Sequence, residues 1–404
     1  MQFRNLFHIP CHGMEADITG NSHGYPASPH PLVTSDKIRR TPEQPVDFKR
    51  SWGHPFPKNH KKQRRAPPEG DPAPGVTETD MQRNEIHELL TAPYEAVSYT
   101  HLRAHAVRRA TLGDHVRTRG LIEFSNRCIC NCKYCGLRRA NTHLHRYLMP
   151  RKTIMAAVDA AVAAGTDTIV LQSGEDPSQP AAVLAGHIEA IKTRHPHMAV
   201  TLGVGERSRA DYALWRRAGA DRFLIKHETA NPELYARLHP GRTLAERLRA
   251  LADLADLGYV VGSGFIVGVP GQTLEDIVED ILLVQHLNVG MCGAGPFIPQ
   301  RDTPFHEEPR GSVPLTLHVM SVLRLALPHA HLPATTALAT LDPVQGQCDG
   351  LRAGGDVLMP SFTPALYRGD YRIYDNKKRV GIEEAIAAVR AAGRTCSLTT
   401  ENAS

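Results

Sequence analysis

Four of the chain's eight cysteines fall within eight residues, in the stretch Phe124-Ser125-Asn126-Arg127-Cys128-Ile129-Cys130-Asn131-Cys132-Lys133-Tyr134-Cys135-Gly136. A secreted disulfide framework would be shorter and would spread its cysteines, so this density reads as metal ligation. Cys128, Cys132 and Cys135 fit a C-x₃-C-x₂-C spacing. Iron–sulfur cubanes are held by thiolates, normally four. Three close thiolates without a local fourth leave one iron with an open position, which is what separates a reactive metal centre from a closed structural one. Cys130 lies two positions from both Cys128 and Cys132, and chelation by every second residue of one short loop is sterically awkward; it is read as a non-ligand. The rival reading is a zinc-binding scaffold, a knuckle of these four cysteines with His143 or His145. Structural zinc usually takes paired C-x₂-C arms well separated in sequence, and no second pair is present.

Such a loop must be positioned by regular elements. Beyond about residue 117, β-rich runs alternate with amphipathic helical stretches. The runs are LIEF (121–124), DTIVLQ (167–172), AVTLGV (199–204), RFLIKH (222–227), YVVGSGFIVG (259–268), VGMCGAGPF (289–297), ATTALA (334–339) and DVLMP (356–360). The helical stretches include 154–165, 209–219, 273–287 and 315–327, several ending in glycine as helix C-termini prefer. This alternation means parallel strands with right-handed crossovers. Eight strands predict a closed (β/α)₈ TIM barrel rather than an open doubly wound sheet, with chemistry at the C-terminal strand ends. The cysteine loop directly follows the first strand. Lys226-His227-Glu228-Thr229 closes the fourth strand at the same rim and is a second group of site candidates.

Residues 1–80 hold 12 of the chain's 30 prolines, runs such as KKQRR and APPEGDPAPG, and no apolar periodicity. They are expected to form a low-complexity, disordered arm, because such a segment buries too little surface to offset the entropy of ordering it. Met81 opens the first helical pattern and is an alternative start. Residues 81–404 are then one barrel domain with N-terminal helices and a C-terminal extension. A formal charge of +5, spread along 404 residues, makes no case for nucleic acid or an anionic membrane. No run of 18 apolar residues predicts a membrane span, and the N-terminus lacks an adequate signal-peptide core, so a cytoplasmic location is expected.

With its C-x₃-C-x₂-C signature and Tyr134 before the last cysteine, the chain resembles the radical S-adenosylmethionine (SAM) enzymes of the biotin-synthase-like branch. More narrowly it resembles the HydE family of FeFe-hydrogenase maturases. The resemblance spans about residues 107–374, through LIEFSNRCICNCKYCGLRRAN, TIVLQSGEDP, GADRFLIKHETANPEL, GSGFIVGVPGQT, GPFIPQRDTP, PATTALATL and DVLMPSFTP. It implies a radical SAM-type barrel, one 4Fe–4S cluster on the three cysteines, and SAM chelated to the open iron. It implies that Tyr134, Ser173, Gly174, Glu175, Glu228, Arg247, Ile266 and Gly268 contact SAM. It also implies that Lys226, Thr335, Thr336, Met359, Tyr371 and Tyr374 line a substrate cavity. The implied reaction is reductive cleavage of SAM to a 5′-deoxyadenosyl radical, which attacks a cysteine-bound iron carbonyl–cyanide complex during H-cluster assembly. Partner hydrogenase maturases and an electron donor are implied with it. Two departures stand out. Lys226 replaces a common arginine and loses the planar two-point grip. Arg379, Ala387 and Arg390 stand where some members carry auxiliary-cluster cysteines, so no second cluster is expected. Methylornithine synthase and biotin synthase are the alternatives within the branch.

Overall fold

The computed structural model describes residues 80–400. The arm expected over residues 1–80 therefore lies, except for Asp80, outside the described residues. Two helices, α1 (Arg83–Leu90) and α2 (Tyr94–Leu112), lead into β1 (Arg117–Ser125), α3 (Arg151–Ala163), β2 (Thr168–Ser173) and α4 (Ala181–Arg194). Next come β3 (Ala199–Gly203), α5 (Arg209–Ala218), β4 (Arg222–Leu224), α6 (Pro232–Leu238), α7 (Leu244–Asp256), β5 (Val260–Val267), α8 (Leu274–His286) and β6 (Met291–Pro296). The chain continues through α9 (Val313–Ala326), α10 (Thr336–Leu341), α11 (Gly346–Arg352), β7 (Val357–Leu358), α12 (Ala365–Arg368) and α13 (Ile382–Ala391).

The strands form one parallel sheet in the order β6-β5-β4-β3-β2-β1-β7. β1 and β2 pair with Leu121 opposite Val170, and β5 and β6 with Gly262 opposite Met291. The sheet curls until single bridges join its edges through residues 331–333: Met291 with His331, and Pro333 with Val357. The strand expected over 334–339 is corrected here. Thr335 caps a helix at that point, its side-chain oxygen accepting from the Leu338 N–H at 3.4 Å. Leu338 and Ala339 are then buried on one helical face. The extended segment lies just upstream, and Pro333, which has no N–H, prevents it from building a ladder. Seven of the eight expected staves are thus ladders, and the remaining one is a bridged segment.

Sequence signals fix the helices that brace the rim. α7 opens on a reciprocal box between Thr243 and Glu246, and α8 on the same arrangement between Thr273 and Asp276; such a cap stabilises by about 1 kcal/mol. α8 and α9 bury Ile277, Ile281, Val322 and Leu323 against Phe265 and Val267 of β5. Burial of each such side chain stabilises by about 1.5–3 kcal/mol. The rim loops are therefore carried on a rigid wall.

Candidate active site

The cysteine loop leaves β1 at Ser125 and is tied down along its length. The Asn126 side-chain amide donates to the carbonyls of His145 (2.7 Å) and Asp370 (2.8 Å). The Ile129 N–H donates to the Glu175 carbonyl at 2.8 Å, and the Lys133 N–H to that of Leu238 at 2.9 Å. Gly174, after β2, runs directly beneath the loop. A Cβ there would lie 2.3 Å from the Arg127 carbonyl oxygen and 2.7 Å from the Cys128 Cβ, so only glycine fits.

Cys128, Cys130, Cys132 and Cys135 are all free and half-buried. Cys130, read from the sequence as a non-ligand, lies among the other three. Hydrogen bonding with Cys128, then with Cys132, holds its thiol far below the ordinary range, while the reciprocal bond to Cys130 pushes Cys128 up. The Arg242 guanidinium lies 3.8 Å from the Cys130 sulfur. Burial raises Cys135 to about 11. Among the described residues no three His, Cys, Asp or Glu side chains converge to hold a single metal ion.

Beside the loop lies a ring of buried charge. Glu175 accepts from Arg242, and its other oxygen accepts the Glu206 N–H at 2.8 Å. Burial, then the Cys130 charge, pushes the Glu175 carboxyl up to about 7. Arg247, on α7, donates to the Glu206 carboxylate and to the Lys226 carbonyl. Its guanidinium lies 5.7 Å from the centre of the Tyr235 ring. Lys226 reaches the Phe265 carbonyl at 3.4 Å and lies 3.8 Å from Glu228 Oε2. Glu228 adopts φ 66°, a left-handed conformation that costs a non-glycine residue about 1–3 kcal/mol. It is held there because its N–H donates to Gly264 O at 3.0 Å and its carbonyl accepts from Ile266 N at 3.2 Å. Behind it, Asp280 accepts from Ala230 N and lies 3.2 Å from His227 Nε2. Held in this way, the Glu228 Oε2 atom is buried without a hydrogen-bond partner, and so is the Tyr235 hydroxyl.

The other expected contacts fall on the same rim. Tyr134 packs against Ile266, Leu234, Leu238 and Phe305, giving an apolar wall. Ser173 ends β2 with its hydroxyl on the Gly174 carbonyl at 2.7 Å. Gly268 has φ 77°, and a Cβ there would meet the Gly311 Cα at 2.9 Å, so neighbouring backbone requires that glycine. Thr336, Met359, Tyr371 and Tyr374 come together around a cavity of ≈ 480 Å³. Glu123 also lines it, ion-paired to Lys377, whose Nζ lies 5.0 Å from the Tyr371 ring centre. Two of the six expected cavity residues are elsewhere: Lys226 belongs to the charged ring, and Thr335 sits against Gly295 of β6.

Sequence reasoning missed Glu206, Arg242, His239 and Glu123. Glu206 follows β3 by three residues and was reachable from the rule that chemistry sits at strand ends. His239 lies 3.2 Å from the Cys132 sulfur, and burial, then the Arg247 charge, lowers its pKa to about 3.

Residues 122–284 match the radical SAM superfamily. Over 274 residues the chain is 46% identical to the FeFe hydrogenase maturase subunit HydE of Thermotoga maritima, covering 68% of this chain and 78% of that one. The chain belongs to the radical SAM enzymes, and within them to the HydE family. It is also 26% identical over 258 residues to the 3-methylornithine synthase of Methanosarcina acetivorans, covering 63% of this chain and 72% of that one. The crystal structure of a methylornithine synthase superposes with a TM-score of 0.70 at 23% identity, over 79% of this chain and 95% of that chain, which shows a shared fold. Among the described residues no helix is long and apolar enough to cross a membrane. Family membership implies a 4Fe–4S cluster and SAM, and the residues present suit both. The cysteines supply free, soft thiols of the kind that hold iron–sulfur clusters. A buried polar atom without a partner costs about 1–3 kcal/mol, and Glu228 Oε2 and the Tyr235 hydroxyl would each gain one from a polar cofactor.

Proposed function

We propose that Cys128, Cys132 and Cys135 hold one 4Fe–4S cluster and that the charged ring beside them binds SAM. In the bound state these groups supply one-electron cleavage of SAM to methionine and a 5′-deoxyadenosyl radical. The chain's residues orient the cofactor and keep water away. Glu228 offers its free carboxylate oxygen to a cationic group, and Ser173, Gly174 and Glu175 lie where they can meet the amino acid end. Arg247, already engaged by Glu206, adds a positive charge for a carboxylate. Tyr134, Ile266 and Gly268 form the flank against which an adenine ring packs. The observation that carries this reading is the buried Glu228 oxygen that accepts no hydrogen bond, on a residue held in a strained backbone conformation.

The substrate proposed is a small cysteine-bound iron carbonyl–cyanide complex, processed in assembling the diiron centre of FeFe hydrogenase together with partner maturases and an electron donor. Support comes from the HydE relative and from the cavity, which falls in the size range of small-molecule sites. Arg301, Arg368, Arg372, Lys378 and Arg379 line it beside Thr336, Met359, Tyr371 and Tyr374, so its charge suits an anionic guest. Anaerobically reconstituted protein with SAM and dithionite is expected to form 5′-deoxyadenosine, and Cys132→Ala to form none. Absence of the product from the unaltered protein, or its persistence in the variant, sinks the proposal.

A further inference from the structure

Cys132, His239 and Tyr134 stand in a line whose middle member, His239, has no part in the proposed SAM site. His239 Nδ1 is 3.2 Å from the Cys132 sulfur, and its Nε2 is 3.4 Å from the Tyr134 hydroxyl. The imidazole is 4% exposed and has little freedom to turn. It stacks on Tyr235 at 4.5 Å with 26° between the planes, and meets Tyr134 edge-on at 5.5 Å. Its backbone N–H is bonded to the Tyr235 carbonyl at 2.9 Å, at the end of α6. We infer that His239 is a positioning residue for the cluster, donating a hydrogen bond from Nδ1 to the Cys132 sulfur and thereby setting the cluster's reduction potential.

This rests on the reading of Cys132 as a cluster ligand. An iron-bound thiolate has lone pairs and no proton, so the contact requires the proton to sit on Nδ1. Nε2 then accepts from the Tyr134 hydroxyl, and both ring nitrogens are satisfied. A hydrogen bond to a ligating sulfur draws off electron density and favours the more negative, reduced cluster, so it raises the potential. Arg242 makes a useful contrast: it points at Cys130, which is not among the three proposed ligands.

The test uses full-length protein reconstituted with iron and sulfide, with the cluster potential read by electron-spin-resonance titration in the absence of SAM. Two amides of similar polarity replace the ring. His239→Asn places an N–H near the Nδ1 position, whereas His239→Gln places it near Nε2. With iron content equal to that of the unaltered protein, the Gln variant is expected to show a lowered potential and the Asn variant to keep the original one. Tyr134→Phe, which frees Nε2 but leaves Nδ1 in place, is expected to give a smaller shift in the same direction. A Gln variant with a full cluster at an unchanged potential overturns the hydrogen bond. Equal shifts in Asn and Gln overturn it too, since altered burial would then explain both. Failure of the unaltered protein to bind a cluster is a separate result and removes the reading on which this one stands.

Discussion

Two buried ionic networks sit at opposite ends of the same parallel strands, and they differ in being complete. At the N-terminal end, just before β7, Arg324 donates to Asp356 at 2.9 Å and His331 lies 2.5 Å from the other carboxylate oxygen. The remaining Arg324 donors reach the carbonyls of Gly354 (2.9 Å) and Ala330 (2.7 Å), and Asp356 also accepts the Leu332 N–H at 2.7 Å. At the C-terminal end, the ring of Glu175, Arg242, Glu206 and Arg247 is just as charged but leaves Glu228 Oε2, 3.8 Å from Lys226 Nζ, and the Tyr235 hydroxyl without hydrogen bonds. A satisfied polar network in a low-dielectric interior rigidifies its surroundings, and a partly satisfied one is costly. The closed network therefore belongs to stability, and the open one is completed by a ligand. The same division appears between the two faces of barrels in general.

The largest test of that contrast is Asp356→Ala. It leaves the Arg324 guanidinium buried without its carboxylate, and such a break costs about 3–5 kcal/mol. A denaturant titration is expected to show a loss of that size, while the fraction that remains folded still binds SAM. Glu228→Gln is expected to behave in the opposite way. Its stability stays within about 1 kcal/mol of the unaltered chain, but SAM affinity of the reconstituted protein falls about tenfold, equivalent to about 1.4 kcal/mol. The contrast breaks if Glu228→Gln destabilises as much as Asp356→Ala, or if equilibrium binding of SAM is unchanged by it.

What could be read in advance follows the same division. The cysteine loop was open to reading because closely spaced thiols have few structural uses, and Glu228 because its polar group closes a strand, whereas Glu175 came only from the family resemblance. The stave expected over 334–339 was not, since ATTALA reads as a β-rich run while Thr335 supplies a helix cap and Pro333 removes a ladder donor. Helix α2 was equally hidden. It is fastened to α9 by His101 Nδ1, 2.6 Å from the Ser321 hydroxyl, and carries no clear apolar stripe. Arg242 and His239 come from the segment after α6 and meet the cysteine loop only in three dimensions. No local pattern marks them.

The last expected effect concerns pH, because the two networks shift their carboxylates in opposite directions. Burial raises Glu175 from 4.5 to about 7, with the Cys130 charge adding to it. For Asp356, burial alone would raise the value, but the His331 and Arg324 charges outweigh it and hold the carboxyl at about 2, below its ordinary 3.8. A raised carboxyl binds its proton more tightly folded than unfolded, so the Glu175 contribution is fully present below about 4.5 and lost as pH rises through about 7. The Asp356 contribution is present above about 3.8 and lost as pH falls through about 2. Glu175→Gln carries no titrating proton. Relative to the unaltered chain, both without metal, its Tm is expected to climb between about pH 5 and pH 8. The climb follows from how far the folded Glu175 carboxyl lies above its unfolded value, and the attraction of Arg242 is already contained in that value. Parallel Tm curves across that window would mean that Glu175 is not holding its proton, and that the open network is better neutralised by Arg242 than its burial implies.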